Sequence, residues 1–246
     1  MMRFFNTAGP VQCEKHYCLP PLSRFNLPEI LTLISQEKYF VLHAPRQSGK
    51  TSCLLACAEY FNKDGRYYAL YTNVEAGQAA REDVTLAMRA ILYGMLQRME
   101  IQFPNRISSG ELEQIILDNG PFGAMTTFFT RLSNRLDKPL ILMIDEIDAL
   151  VGDTLISVLR QIRSGYDTRP LHFPSSIILC GVRDVRDYRI HSDKDKSVIT
   201  GGSAFNIKAE SLRLGNFTED ETRTLLLEHT KETGQLFEDE ALASVW

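Results

Sequence analysis

Tyr39-Phe-Val-Leu-His-Ala-Pro-Arg-Gln-Ser-Gly-Lys-Thr51 decides the fold, and the rest of the chain is read outward from it. Tyr39 to His43 is an apolar run of strand length, and Thr51 leads directly into Ser52-Cys-Leu-Leu-Ala56, the opening of a helix. Strand, loop and helix in that order are the context a phosphate-binding loop needs, and Gly49, Lys50 and Thr51 stand at its three fixed places. Gly49 lets the backbone approach phosphate oxygens, which successive amide N–H groups and the positive end of the following helix would meet. Lys50 reaches the β- and γ-phosphates. Thr51 offers a hydroxyl to Mg²⁺, an ion that prefers oxygen ligands and is usually shared with nucleotide phosphates. Ala44, Pro45, Arg46, Gln47, Ser48, Gly49, Lys50, Thr51 and Ser52 form the candidate cradle. Ala44 stands where the strict pattern has glycine. The change is milder there than at Gly49, because the first small residue only turns the chain out of the strand.

Hydrolysis needs a carboxylate on a second buried strand. Pro139-Leu-Ile-Leu-Met-Ile144 is a continuous apolar run, the mark of a parallel strand covered on both faces, and it delivers Asp145-Glu146 at its carboxyl end. Ligands of open α/β sheets gather at that end. Asp145 is placed to hold Mg²⁺ through water, and Glu146 to orient and deprotonate an attacking water. The candidate catalytic residues are thus Glu146 and Lys50, with Thr51 and Asp145 on the metal side.

The bulk composition excludes several classes. With 27 basic against 31 acidic residues the net charge is −4, so no global basic face announces nucleic acid. Apolar residues make up 44% of 246, enough for one large α/β domain, yet no run reaches the roughly 18 residues of a membrane span. The N-terminal apolar stretch is too short for a signal peptide. The five cysteines are odd in number and scattered, as in a cytoplasmic protein, and most read as small buried apolar residues. Cys13, His16 and Cys18 fall one ligand short of a structural zinc site.

Taken in order, residues 1–24 read as irregular, with Phe4, Phe5, Tyr17 and Leu19 as apolar pins against a domain surface. Arg24 is assigned to solvent in preference to nucleotide. A short helix over Leu27–Ser35 follows, with Asn26 as its candidate cap, and the phosphate-loop helix runs to about Lys63. Tyr67–Asn73 reads as the second strand, bringing Asn73 and Glu75 to the nucleotide edge. Apolar spacing predicts a helix over Ala80–Met99, then a polar connection over 102–112 and a helix over Phe122–Leu136. Asp148 lies on the turn before a helix over Thr154–Ser164, for which Asp153 is the expected cap. Ser176–Gly181 reads as another buried strand. It delivers Arg183, the candidate γ-phosphate sensor, with Arg186 and Arg189 beyond it as candidate fingers toward a neighbouring subunit. Polar residues His191–Gly202 read as a mobile loop, and Phe205–Ala209 as the fifth strand. Thr218 with Glu221 makes a capping box for a helix ending near Gly234. A second helix starts after Phe237, so the sequence reads as cut off inside a small helical lid.

With those residues located, the chain resembles bacterial and archaeal AAA-like ATPases of the P-loop class, particularly the archaeal-type ATPases and the signal-transduction ATPases with numerous domains. The resemblance rests on Ala44–Thr51, on Ile141–Leu150 with its Asp-Glu-Ile-Asp-Ala-Leu, on the strand ending at Arg183, and on Asn216-Phe-Thr-Glu-Asp-Glu221. It implies a three-layer α/β/α P-loop NTPase with a five-stranded parallel sheet, ATP with Mg²⁺, and a helical or winged-helix segment beyond the lid. By position, Lys50 and Thr51 resemble the phosphate and metal residues, Asp145 the metal residue, Glu146 the base and Arg183 the first sensor, while no arginine matches the second sensor, Arg223 being the sole weak candidate. The expected organisation is an irregular segment over 1–24, an ATPase core over 25–214, and the start of the lid over 215–246. The expected function is Mg²⁺-dependent ATP hydrolysis as a conformational switch. Its alternatives are a DNA-associated ATPase of the origin-recognition type and an ATP-binding scaffold with vestigial hydrolysis. Self-association or a protein partner would act through the region beyond Trp246, and no membrane is involved.

Overall fold

The computed structural model describes residues 2–184, 189–192, 197–200 and 205–245. Its frame is a parallel sheet of β1 (Tyr39–His43), β2 (Tyr68–Asn73), β3 (Leu140–Asp145), β4 (Ser176–Gly181) and β7 (Lys208–Arg213). The strand order is β2-β3-β4-β1-β7, every neighbouring pair being parallel. The five-stranded parallel sheet that the resemblance implies is therefore present, and β1 and β3, which carry the two candidate nucleotide motifs, are separated by β4 alone.

Alternation along each strand separates two cores. Phe40, Leu42, Ala69, Ile141, Met143 and Ile178 face one layer, packing with Ile30 and Ile34 of α1 (Leu27–Ser35) and Leu54, Cys57 and Phe61 of α2 (Lys50–Asp64). Val41, Leu70, Leu142, Ile144, Ile177 and Leu179 face the other layer. That layer is built from α3 (Val84–Gln102), α4 (Ser109–Asn119), α5 (Ala124–Ser133) and α6 (Gly152–Ser164). Sheets buried on both faces read as unbroken apolar runs, which is why β1, β3 and β4 are legible in the sequence.

Several boundaries differ from expectation for identifiable reasons. α3 begins at Val84 because the Asp83 side chain accepts the Leu86 N–H at 3.0 Å, and the preceding 75–80 is a tighter 3₁₀ turn. α4 opens within the last four residues of what reads as a polar connection and runs on over 113–119. Ser108 caps it by accepting the Glu111 N–H at 3.2 Å, and it buries Leu112, Ile115 and Ile116. α6 starts at Gly152 with Val151 at its cap, so Asp153 sits in the first turn. Asn26 makes no side-chain cap of α1. The fifth sheet strand lies at Lys208–Arg213, after Phe205, whose ring is buried in the core. Within the stretch expected to be an irregular loop, β5 (Arg189–Ser192) and β6 (Ser197–Thr200) pair antiparallel. Cys53, Cys57 and Cys180 are buried free thiols, as small apolar residues should be, but Cys13 and Cys18 are joined in a disulfide with Cα atoms 5.4 Å apart. The scattered-thiol reading missed that pair, whose five-residue separation lets a single turn bring the two together.

The C-terminal helices are α7 (Glu219–Thr233) and α8 (Asp239–Val245). The Thr218–Glu221 capping box is formed in both directions. No described helix is long and apolar enough to cross a membrane.

Gly165 is held by close approach to a buried ring. A Cβ built at Gly165, where α6 ends, would overlap the ring of the fully buried Phe173. Gly165→Ala is expected to lower stability by about 1–3 kcal/mol, the usual cost of overpacking. Urea unfolding tests this, and an unchanged midpoint would contradict it.

Candidate functional site

The candidate phosphate loop leaves β1 without breaking the sheet: the Ala44 N–H donates to the Gly181 carbonyl at 3.2 Å. Ala44 is fully buried and lies outside the left-handed region, so glycine is not required there. Gly49 does lie there, at φ 88°, as the residue entering α2. Gln47 is left-handed as well, at φ 60°. Lys50 is 7% exposed, and its Nζ donates to the Ala44 and Pro45 carbonyls at 2.9 Å each. The opening N–H groups of α2 have no intrahelical partners and form the electropositive end of the helix.

From the opposite side, β3 presents Asp145, which is fully buried. Its Oδ2 accepts the Thr51 hydroxyl at 2.7 Å and the Tyr71 hydroxyl at 3.0 Å, while Oδ1 accepts the Glu146 N–H at 3.0 Å. Glu146 follows in a left-handed conformation, φ 57° and ψ 40°. A non-glycine residue there costs about 1–2 kcal/mol, and such residues cluster at functional sites. Burial raises the Glu146 carboxyl above its ordinary value of 4.5, the neighbouring charges of Asp145 and Asp148 raise it further, and Lys50 acts against them. Asp148 also ties the motif strand to β4, its Oδ1 accepting the Val182 N–H at 3.2 Å. Burial first, and then the nearby Asp145, push the Cys180 thiol well above its ordinary value, so it remains a neutral thiol.

Between these walls lies a cleft of about 880 Å³. Arg46 to Ser52 and Glu75, Glu146 and Asp148 line it, together with a strap made of the N-terminal segment. The strap is fastened at both ends. The Val11 N–H donates to Oγ of Ser52 at 2.9 Å, and Arg3 pairs with Glu232 at 2.9 Å and Glu228 at 3.2 Å on α7. Tyr17, an expected apolar pin, meets His229 of α7 edge-on at 5.3 Å. Phe4, another expected pin, is largely exposed. Arg24 is not a solvent residue. Its guanidinium donates to the Ser48 carbonyl and, at 2.5 Å, to the Gly215 carbonyl, and lies 3.9 Å over the Phe217 ring. It therefore joins the loop after β1 to the segment that leads into α7. Arg24→Met is expected to speed tryptic cleavage at Arg223 and Lys231 several-fold while the sheet domain stays resistant. Identical digestion of both proteins would contradict this junction.

Lys50, Thr51, Asp145 and Glu146 thus converge, although β1 and β3 are not adjacent. Arg183 does not converge with them: it is exposed just beyond β4 and does not line the cleft. Arg186 lies outside the described residues, and Arg189 opens β5. Arg223 points to α8, 3.5 Å from Asp239, and does not line the cleft. Among the described residues no three His, Cys, Asp or Glu side chains gather as a metal site. His16 instead accepts the Gln12 N–H through Nδ1 at 3.0 Å. Sequence reasoning missed Tyr71. The available signal is its place on β2 two residues before Asn73, which pairs in register with Asp145.

No protein-family model matches the chain, and no curated protein matches it. Solved structures do. Cdc6p from Pyrobaculum aerophilum is 20% identical with a TM-score of 0.52, over 90% of this chain and 52% of that one. A Walker-type ATPase of Pyrococcus abyssi is 15% identical with a TM-score of 0.60, over 98% and 65%. A DNA replication initiation factor is 14% identical with a TM-score of 0.52, over 92% and 56%. The chain therefore spans between about half and two thirds of those structures. The likeness is one of architecture: this chain shares with those structures the three-layer α/β/α fold built on a five-stranded parallel sheet.

Proposed function

We propose that the chain binds ATP with Mg²⁺ in this cleft and hydrolyses it slowly, using the cycle as a conformational switch. The observation that carries the reading is the meeting of Lys50, Thr51, Asp145 and Glu146 at the carboxyl ends of parallel strands. The residues suit both groups. Lys50 Nζ, held by two loop carbonyls, is a cation poised for the β- and γ-phosphates, and the N-terminal amides of α2 add donors. Thr51 Oγ1 and Asp145 Oδ2, 2.7 Å apart, are the hard oxygen donors Mg²⁺ selects, Asp145 acting through water. Bound Mg²⁺ would neutralise charge on the phosphate oxygens. Glu146 orients the attacking water and takes its proton. Its raised proton affinity makes it a stronger base than an exposed glutamate. Arg183, exposed just beyond β4, is retained as the candidate sensor on its position after the strand beside both motif strands. The fastening of strap and lid to the phosphate loop, through Arg24 and Ser52, provides the path by which the state of the cleft would reach the lid.

A second reading, a DNA-associated ATPase of the origin-recognition type, draws on the architectural likeness to Cdc6p and to the replication initiation factor. Steeply salt-dependent DNA binding by the chain would favour it. The deciding experiment is ATP binding and γ-phosphate release with Mg²⁺ and with EDTA. Tight binding and slow release that need Mg²⁺ are expected, and no binding under either condition would overturn the reading.

A pH prediction follows from Glu146. The base must be ionised, and its folded-state value lies above 4.5, so phosphate release is expected to fall with acid at a pH above 4.5. By linkage, the folded protein holds this proton more tightly than the unfolded chain does. The ionised carboxylate therefore opposes folding above its folded-state value, and that opposition fades as the pH drops. A pH–rate profile whose acid limb falls at or below 4.5 would contradict the assignment.

A further inference from the structure

Tyr71 is 2% exposed, and its hydroxyl meets the oxygen of Asp145 that also accepts the Thr51 hydroxyl. A buried phenol needs a partner. This one, however, takes the carboxylate on the candidate metal side rather than a nearby carbonyl, reaching diagonally across the sheet from β2 to β3. We propose that Tyr71 is a positioning residue that fixes Asp145 Oδ2 toward the Mg²⁺ of an ATP–Mg²⁺ complex, an inference that rests on the ATP site described above.

The three donors to Asp145 are not equivalent. The Glu146 N–H holds the other oxygen, Oδ1. Thr51 lies in the first turn of α2, and its hydroxyl is the group that turns to a metal. Tyr71 remains as the constant donor to Oδ2, because its own position is held from two sides. β2 is an edge strand, so the outward backbone groups of Tyr71 have no strand to pair with. The Gln102 side-chain amide of α3 takes both, accepting the Tyr71 N–H and donating to its carbonyl at 3.3 Å each. The Arg98 guanidinium lies 5.4 Å over the ring. A hydroxyl held this way keeps one carboxylate rotamer aimed at the cleft, which lowers the reorganisation a metal complex would require. Groups that orient metal-side carboxylates commonly change metal affinity by about 10–100-fold when removed.

The test uses the full chain and a non-hydrolysable ATP analogue, titrated with Mg²⁺ and also measured in EDTA. Tyr71→Phe, which removes one oxygen and keeps the ring, is expected to raise the half-saturating Mg²⁺ about tenfold and to leave analogue binding in EDTA unchanged. In an Asp145→Asn background the same substitution is expected to add no further shift, because its effect runs through that carboxylate. An unshifted Mg²⁺ curve would overturn the proposal, as would an equal shift in the Asp145→Asn background, which would mark a general packing effect. Should Tyr71→Phe fail to fold, Gln102→Met loosens the Tyr71 backbone without touching the cleft and is read against the same two outcomes. A wild type that fails to bind the analogue, or binds it without regard to Mg²⁺, overturns the ATP-site reading and this inference together. A Mg²⁺-dependent wild type with an unshifted Tyr71→Phe overturns this inference alone.

Discussion

Glu146→Gln is expected to lower γ-phosphate release by about 10²–10⁴-fold, the usual contribution of a positioned general base, while ATP affinity stays at the wild-type level. The amide preserves the shape of the side chain and its capacity to hydrogen-bond water, but it cannot take a proton. The left-handed backbone at this position is set by the main chain, with the Glu146 N–H bound to Asp145 Oδ1, so it survives the substitution. The relief of charge crowding is expected to be mildly favourable to folding, since Asp145 and Asp148 both work against an ionised carboxylate there. A variant with unimpaired stability and lost turnover would therefore separate chemistry from folding. Hydrolysis surviving at the wild-type rate would remove Glu146 from the role of base.

Lys50→Ala is expected to weaken ATP binding by roughly 100-fold, about 2.7 kcal/mol, within the range for removing a charge-assisted contact to phosphate. The unfolding midpoint is expected to move little. Lys50 Nζ bonds the Ala44 and Pro45 carbonyls, and Ala44 keeps its ladder bond to Gly181 when the lysine is gone. Titration calorimetry alongside denaturation checks both halves of this expectation. Unchanged affinity would mean that the loop does not cradle phosphate, and the reading of the cleft would fall with it.

Much of the frame is legible in the residues themselves. Phe40, Val41, Leu42 and the run Leu140–Ile144 form unbroken apolar segments because both faces of their strands are covered. The turn at Gly49-Lys50-Thr51, from β1 into α2, is legible because it is written in contiguous residues, and Thr218 with Glu221 is legible because a capping box closes within one helical turn. The errors fell where a local signal was ambiguous. Glycine in Ser108-Ser-Gly-Glu111 hid a cap and its helix α4, and the pairing of Cys13 with Cys18 depends on a turn that their spacing permits without requiring.

The sequence by itself determined the buried strands, the loop that follows β1 and the acidic pair that ends β3, since each is written in residues a few positions apart. The tertiary structure alone decided that β4 stands between those two strands, that Tyr71 meets Asp145 across 74 residues, and that Arg24 reaches Gly215 across 191. The physical reason is range. Hydrophobic periodicity and helix caps act over a turn or two of chain, whereas the partner of a buried hydroxyl or a guanidinium is chosen by whichever distant backbone or carboxylate the packed sheet and its flanking segments bring within about 3 Å of it.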